Sequence, residues 1–202
     1  MNELANVYGV EPVKVGKYTV RVVYDTVPVN PREEFDTPFT ILYDRDSRYY
    51  LGDKAVDAEV VQEIVNSNDY IYMSVYAYIH SGTSLSTGMG CPDNDDIFRG
   101  MHSGIIYISK EDIRKNWNVK RISKKLLKDI YKYMEMEVKE FSQYLNGEIY
   151  MFVVEDEYGH LVETCGNFYD AEIAMTEGKS TAEWVIKDDE RQAARKILAI
   201  AS

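Results

Sequence analysis

The chain has 202 residues, 45% hydrophobic and 28% charged, a length and composition that build a buried core and exclude a disordered chain. Its two cysteines, Cys91 and Cys165, exclude a disulfide scaffold, and no run approaches the roughly eighteen apolar residues of a membrane span. A net charge of −11 argues against generic nucleic-acid binding, because a broad negative field repels phosphates.

The opening residues, Met1-Asn2-Glu3-Leu4-Ala5-Asn6, lack the basic and apolar regions of a secretory signal, so a reducing cytoplasm is the expected location. Residues 1–16 read as an N-terminal extension. Alternation predicts a strand over 17–25 and a short one over 39–43. Residues 57–67 predict a helix capped by Asp57, with Val60, Val61, Ile64 and Val65 on one stripe. The run Tyr70-Ile71-Tyr72-Met73-Ser74-Val75-Tyr76-Ala77-Tyr78 predicts a half-buried strand over 70–79, its tyrosine hydroxyls reaching water.

Residues 80–104, with their glycines, serines and acids, read as one long loop. A strand over 105–109 follows, and Ser109 caps a short helix at 110–116. The longest element is a helix at 122–145. Its Leu127, Ile130, Met134, Val138, Phe141 and Leu145 recur at steps of three and four, and Asn146-Gly147 ends it. A hairpin is expected from strands at 148–155 and 160–165 around Glu157-Tyr158-Gly159. The remainder, 171–202, reads as an acidic, glycine-containing linker and a helix at 188–200 opened by Asp188-Asp189. Together these elements predict a single α+β domain over 1–202, a mainly antiparallel sheet packed against the helix at 122–145.

Two clusters concentrate paired charge. Asn30-Pro31-Arg32-Glu33-Glu34-Phe35-Asp36 precedes the apolar run Phe39–Tyr43, and Ser47-Arg48-Tyr49-Tyr50-Leu51-Gly52-Asp53 follows it. An arginine presents a planar donor fork that fits a carboxylate or a phosphate at two points. The clusters therefore read either as an ion-pair network or as a ligand site. On the network reading Arg48 is expected to be buried against Asp36 or Asp53. On the ligand reading Asn30, Arg32, Asp36, Arg48 and Asp53 join His80, Ser81 and Ser86 around a nucleotide or other small anion.

Other chemistry is thinner. His80 and Cys91 supply a base and a nucleophile, but no cysteine-nucleophile signature surrounds Cys91. Asp93-Asn94-Asp95-Asp96 lacks the spacing of a calcium loop, and Cys91, Cys165, His80, His102 and His160 show no zinc spacing. No cofactor, metal or catalytic set is expected. From Lys110 to Lys132 nine basic residues face three acidic ones, a net +6 that leaves −17 for the rest. Lys120, Arg121, Lys124, Lys125 and Lys128 in this stripe are either a solvated helix face or a contact for nucleic acid.

The order of motifs resembles a family of uncharacterised proteins of tailed phages and bacterial mobile elements. The likeness runs over roughly residues 18–170, from Asn30-Pro31-Arg32, Asp36, Arg48-Tyr49 and Leu51-Gly52-Asp53 to His80-Ser81-Gly82 and Ser86-Thr87. It continues through Ile106-Tyr107-Ile108-Ser109-Lys110, Val119-Lys120-Arg121-Ile122-Ser123, Tyr144-Leu145-Asn146-Gly147, Cys165-Gly166 and Phe168-Tyr169. Thr37-Pro38-Phe39-Thr40 and Tyr43-Asp44 stand where many relatives carry a segment followed by Cys and His. The resemblance implies an accessory protein encoded by a phage and acting inside a bacterial host, without an assigned activity. The function expected from it is non-enzymatic binding and modulation of a host macromolecule, as in counter-defence, with a host protein as partner.

Overall fold

The computed structural model describes residues 6–7, 9–88 and 101–200. The chain forms two compact units, one of residues 1–28 and 147–202, the other of residues 29–146. The α+β class with mainly antiparallel sheets is what the chain builds, as two sheets, each with its own long helix.

In the first unit, strands β1 (Val13–Val15), β2 (Tyr18–Tyr24), β8 (Tyr150–Glu155) and β9 (Leu161–Phe168) form an antiparallel sheet in the order β1-β2-β8-β9. β1 lies in what the sequence marks as an extension, too short at three residues to show alternation. The β8–β9 hairpin turns where expected, with Gly159 at φ +81°. Val20, Val22, Phe152 and Val154 alternate onto one face and pack against Ala174, Met175, Ala182 and Val185 of α5 (Ala171–Ile200).

That helix corrects the sequence reading. Residues 171–187 are not a linker, because α5 is continuous over 30 residues. It starts at Asp170, whose Oδ1 accepts from the backbone N–H groups of Glu172 (2.8 Å) and Ile173 (3.1 Å), not at Asp188-Asp189. Gly178 looks like a breaker but sits where the helix meets the sheet. A Cβ there would lie 2.6 Å from Val20 Cγ1 and 3.0 Å from Phe152 Cβ, so only glycine allows the approach.

The second unit holds a five-stranded sheet in the order β4-β3-β7-β5-β6. Its strands are β3 (Thr40–Asp44), β4 (Lys54–Val56), β5 (Tyr70–Ile79), β6 (Thr83–Ser86) and β7 (Met101–Ser109), antiparallel except for β3 with β4. The predicted loop over 80–104 thus contains β6 and the start of β7. Their serines and glycines have low strand propensity, and pairing to β5 overrides it. Residues 89–100, with Cys91 and Asp93–Asp96, lie outside the described residues.

Alternation sends neighbouring residues to opposite faces. Ile41, Val75, Ile106 and Ile108 meet the buried stripe Ile130, Met134, Val138 and Phe141 of α4 (Lys124–Leu145). Leu42, Val56 and Ile105 meet Ile64 of α2 (Ala58–Asn66). Ser109 caps α3 (Lys110–Asn116) as expected, and Ser123 caps α4, its side chain accepting from the Leu126 N–H. Asp57 is different: it stands at the start of α2 without a side-chain cap and pairs with Arg45 at 3.0 Å. A short helix, α1 (Pro31–Glu34), occupies the first charged cluster.

Candidate functional site

The first cluster folds by capping. Asn30 Oδ1 accepts from the Arg32 N–H at 3.0 Å, its Nδ2 donates to Glu33 Oε1 at 2.9 Å, and Pro31 takes the first helical position with its φ already set. This one-turn helix turns Arg32 inward, leaving its side chain 3% exposed. Nε donates to Asp53 Oδ1 (2.8 Å), and Nη2 to Asp53 Oδ2 (2.6 Å) and to the Phe39 carbonyl (2.9 Å). Nη1 donates to Glu137 Oε2, and the Thr37 hydroxyl sits 2.5 and 2.6 Å from the two oxygens of the same carboxylate.

Asp53 is itself fixed. Its N–H donates to the Ile41 carbonyl at 2.8 Å, and its Oδ2 accepts from the Ile41 N–H at 2.6 Å. Burial alone would lower the Arg32 pKa, but Asp53 and then Glu137 outweigh it, so the guanidinium is held charged above its ordinary value. Four donors of the fork are thus occupied by protein oxygens. The cluster ties α1, β3 and α4 together.

Arg48 departs from expectation. It is exposed and forms no ion pair among the described residues; Arg32, not Arg48, takes Asp53. Its neighbours Tyr49 and Tyr50, 48% and 45% exposed, do not draw it into the core. Arg48 lines a cavity of about 310 Å³ with Asp44, Asp46, Ser47, Tyr49 and Leu51, among others. Arg32 lines a separate one of about 220 Å³ with Pro31, Phe35, Asp36, Thr37, Glu137 and Glu140. Asp36 is exposed there.

His80 and Ser81 are exposed at the β5–β6 turn, where the His80 N–H donates to the Gly82 carbonyl at 3.1 Å. Ser86 donates to the Gly88 carbonyl at 3.3 Å. His80 lines neither arginine's cavity. In the basic stripe, Lys120, Arg121, Lys124, Lys125 and Lys128 are all exposed, none is ion-paired among the described residues, and the first turn of α4 has no acid. No group of metal-binding side chains occurs among the described residues, and no helix among them is long and apolar enough to cross a membrane.

The structure also assembles a site that sequence spacing does not show. A groove of about 350 Å³ is lined by Pro38, Phe39, Trp117, Tyr133, Met136, Glu137 and Glu140. Trp117, at the end of α3, stacks on Tyr133 of α4 with centroids 6.4 Å apart and planes 30° apart, and approaches Phe39 at 6.3 Å. Tyr133 and Met136 are 45% and 47% exposed. Glu140 lines this groove and the Arg32 cavity alike, and makes no hydrogen bond or ion pair among the described residues. Desolvation, then the neighbouring Glu137, raises its pKa above the ordinary 4.5. Aromatic faces beside a half-buried carboxylate favour a cation.

Comparison with family models, with curated proteins and with solved structures finds no match to this chain.

Proposed function

We propose that this protein is a non-enzymatic accessory protein, encoded by a phage and acting in the cytoplasm of its bacterial host, that binds a host protein and modulates it as a counter-defence inhibitor. The observation that carries the reading is the division of labour among charges in residues 29–146. Arg32 is enclosed by Asp53, Glu137 and the Phe39 carbonyl, so that cluster serves as scaffold, while Asp36 and Glu140 remain beside exposed aromatic side chains. Such a surface complements a basic partner and gives it fast association and selectivity. With Arg32 so enclosed and Arg48 on another cavity, the small-anion reading loses its convergent pair.

Affinity capture from host lysate tests the proposal. The expected result is a basic protein recovered at low salt and reduced at moderate salt; recovery of nothing above background at both would contradict it. A second reading, nucleic-acid contact through Lys120, Arg121, Lys124, Lys125 and Lys128, is favoured by their exposure without acidic partners. It predicts gel retardation of duplex or single strands that falls steeply with salt, and no retardation at low salt removes it.

A further inference from the structure

We propose that the groove between α3 and α4 is a receptor for a guanidinium, taking an arginine side chain of a partner protein onto the Trp117 and Tyr133 rings with its charge at Glu140. The inference rests on the binding reading above and names the contact that would carry it.

The choice of ligand follows from what the groove offers. Its walls are Pro38, Phe39, Trp117, Tyr133 and Met136, and its one carboxylate without a partner among the described residues is Glu140. The second acid at its edge, Glu137, is already engaged by Arg32 and Thr37. An anion would meet two carboxylates. An apolar guest would desolvate Glu140 further and leave it unpaired, which is costly. A cation satisfies both parts, because the faces of Trp and Tyr attract positive charge and the carboxylate accepts its N–H groups. Arginine fits better than lysine: its planar, weakly hydrated head stacks on rings and can present two N–H groups to one carboxylate.

The local charges agree. The enclosed set of Arg32, Asp53 and Glu137 carries one surplus negative charge, and Glu140 adds a second. Asp36 stands on the adjoining cavity. Lys139 precedes Glu140 in the chain, about 100° round the helix, and is not part of the groove lining; its charge opposes the raised pKa of Glu140 without cancelling it.

The test uses the full chain and two small probes, Nα-acetyl-arginine amide and its neutral analogue Nα-acetyl-citrulline amide, followed by NMR at the indole N–H assigned through Trp117→Phe. Expected is a saturable shift with the arginine probe, about fivefold weaker binding of the citrulline probe, and a similar loss in Glu140→Gln, with Lys139→Gln unchanged. Tyr133→Leu should weaken binding by about the same factor and serves as a second variant if Glu140→Gln folds poorly. Equal binding of the two probes, an unaltered affinity in Glu140→Gln, or no saturable shift would each overturn the proposal. A silent groove in a protein that still captures its host partner overturns the groove alone. An arginine-binding groove in a protein that captures nothing overturns the function alone.

Discussion

Arg32 and Arg48 carry the same side chain sixteen positions apart, and their surroundings predict opposite costs of removal. Arg32→Met leaves Asp53 and Glu137 facing each other, half-buried, without their shared cation. Breaking such a pair costs on the order of 3–5 kcal/mol. Arg48→Ala removes an exposed side chain with no ion pair among the described residues and should change stability by at most about 0.5 kcal/mol. Thermal melts of the two variants check this: a large drop in Tm for Arg32→Met and almost none for Arg48→Ala. A second residue-level outcome concerns Glu140. Because its folded pKa is raised, the folded state holds the proton more tightly than the unfolded chain does. Its contribution is therefore most favourable below the ordinary 4.5 and declines as pH rises through that value and the raised folded one. Glu140→Gln should melt at or above the parent temperature at pH 7, with the advantage shrinking towards pH 4. A variant that is less stable at neutral pH and recovers on acidification would contradict the assignment.

At the scale of elements, α5 supplies a prediction whose sign discriminates. In an ordinary exposed helix, Gly→Ala stabilises by about 1 kcal/mol. At Gly178 the new methyl would press on Val20 and Phe152, so Gly178→Ala should instead destabilise by about 1–3 kcal/mol, read as a lowered denaturation midpoint. This helix also shows what local pattern leaves hidden. Strand β5 and the core stripe of α4 were legible because period two and period 3.6 stand out over ten and 22 residues. Within α5, Gly178 and the exposed acids look like a break in the sequence, and the reason for that glycine lies on two strands distant in the chain. The same holds for the sites. Arg32 and Asp53 were visible as paired charge, whereas Glu137, 105 residues from Arg32, was not. The groove residues were invisible as a set, since Phe39, Trp117 and Tyr133 meet only when β3, α3 and α4 assemble. Arg48 stays at the surface although two tyrosines follow it, because tyrosines rest easily there with one polar end in water.

For the whole molecule, charge sets how the proposed encounter with a basic partner should depend on salt. The unit of residues 1–28 and 147–202 carries a net −7, and that of residues 29–146 carries −4 even with its basic stripe. Such a field accelerates encounter with a basic protein and is screened beyond roughly 8–10 Å at physiological salt, so added salt should slow association more than it speeds dissociation. Photo-cross-linking inside host cells shows whether the groove beside Glu140 takes the proposed host protein. Benzoylphenylalanine placed at Met136, 47% exposed in the groove, is compared with the same group at Tyr158, 76% exposed on the other unit. A covalent adduct is expected from position 136 alone, joined to a host peptide that contains arginine. No adduct from position 136, or the same adducts from both positions, would contradict it.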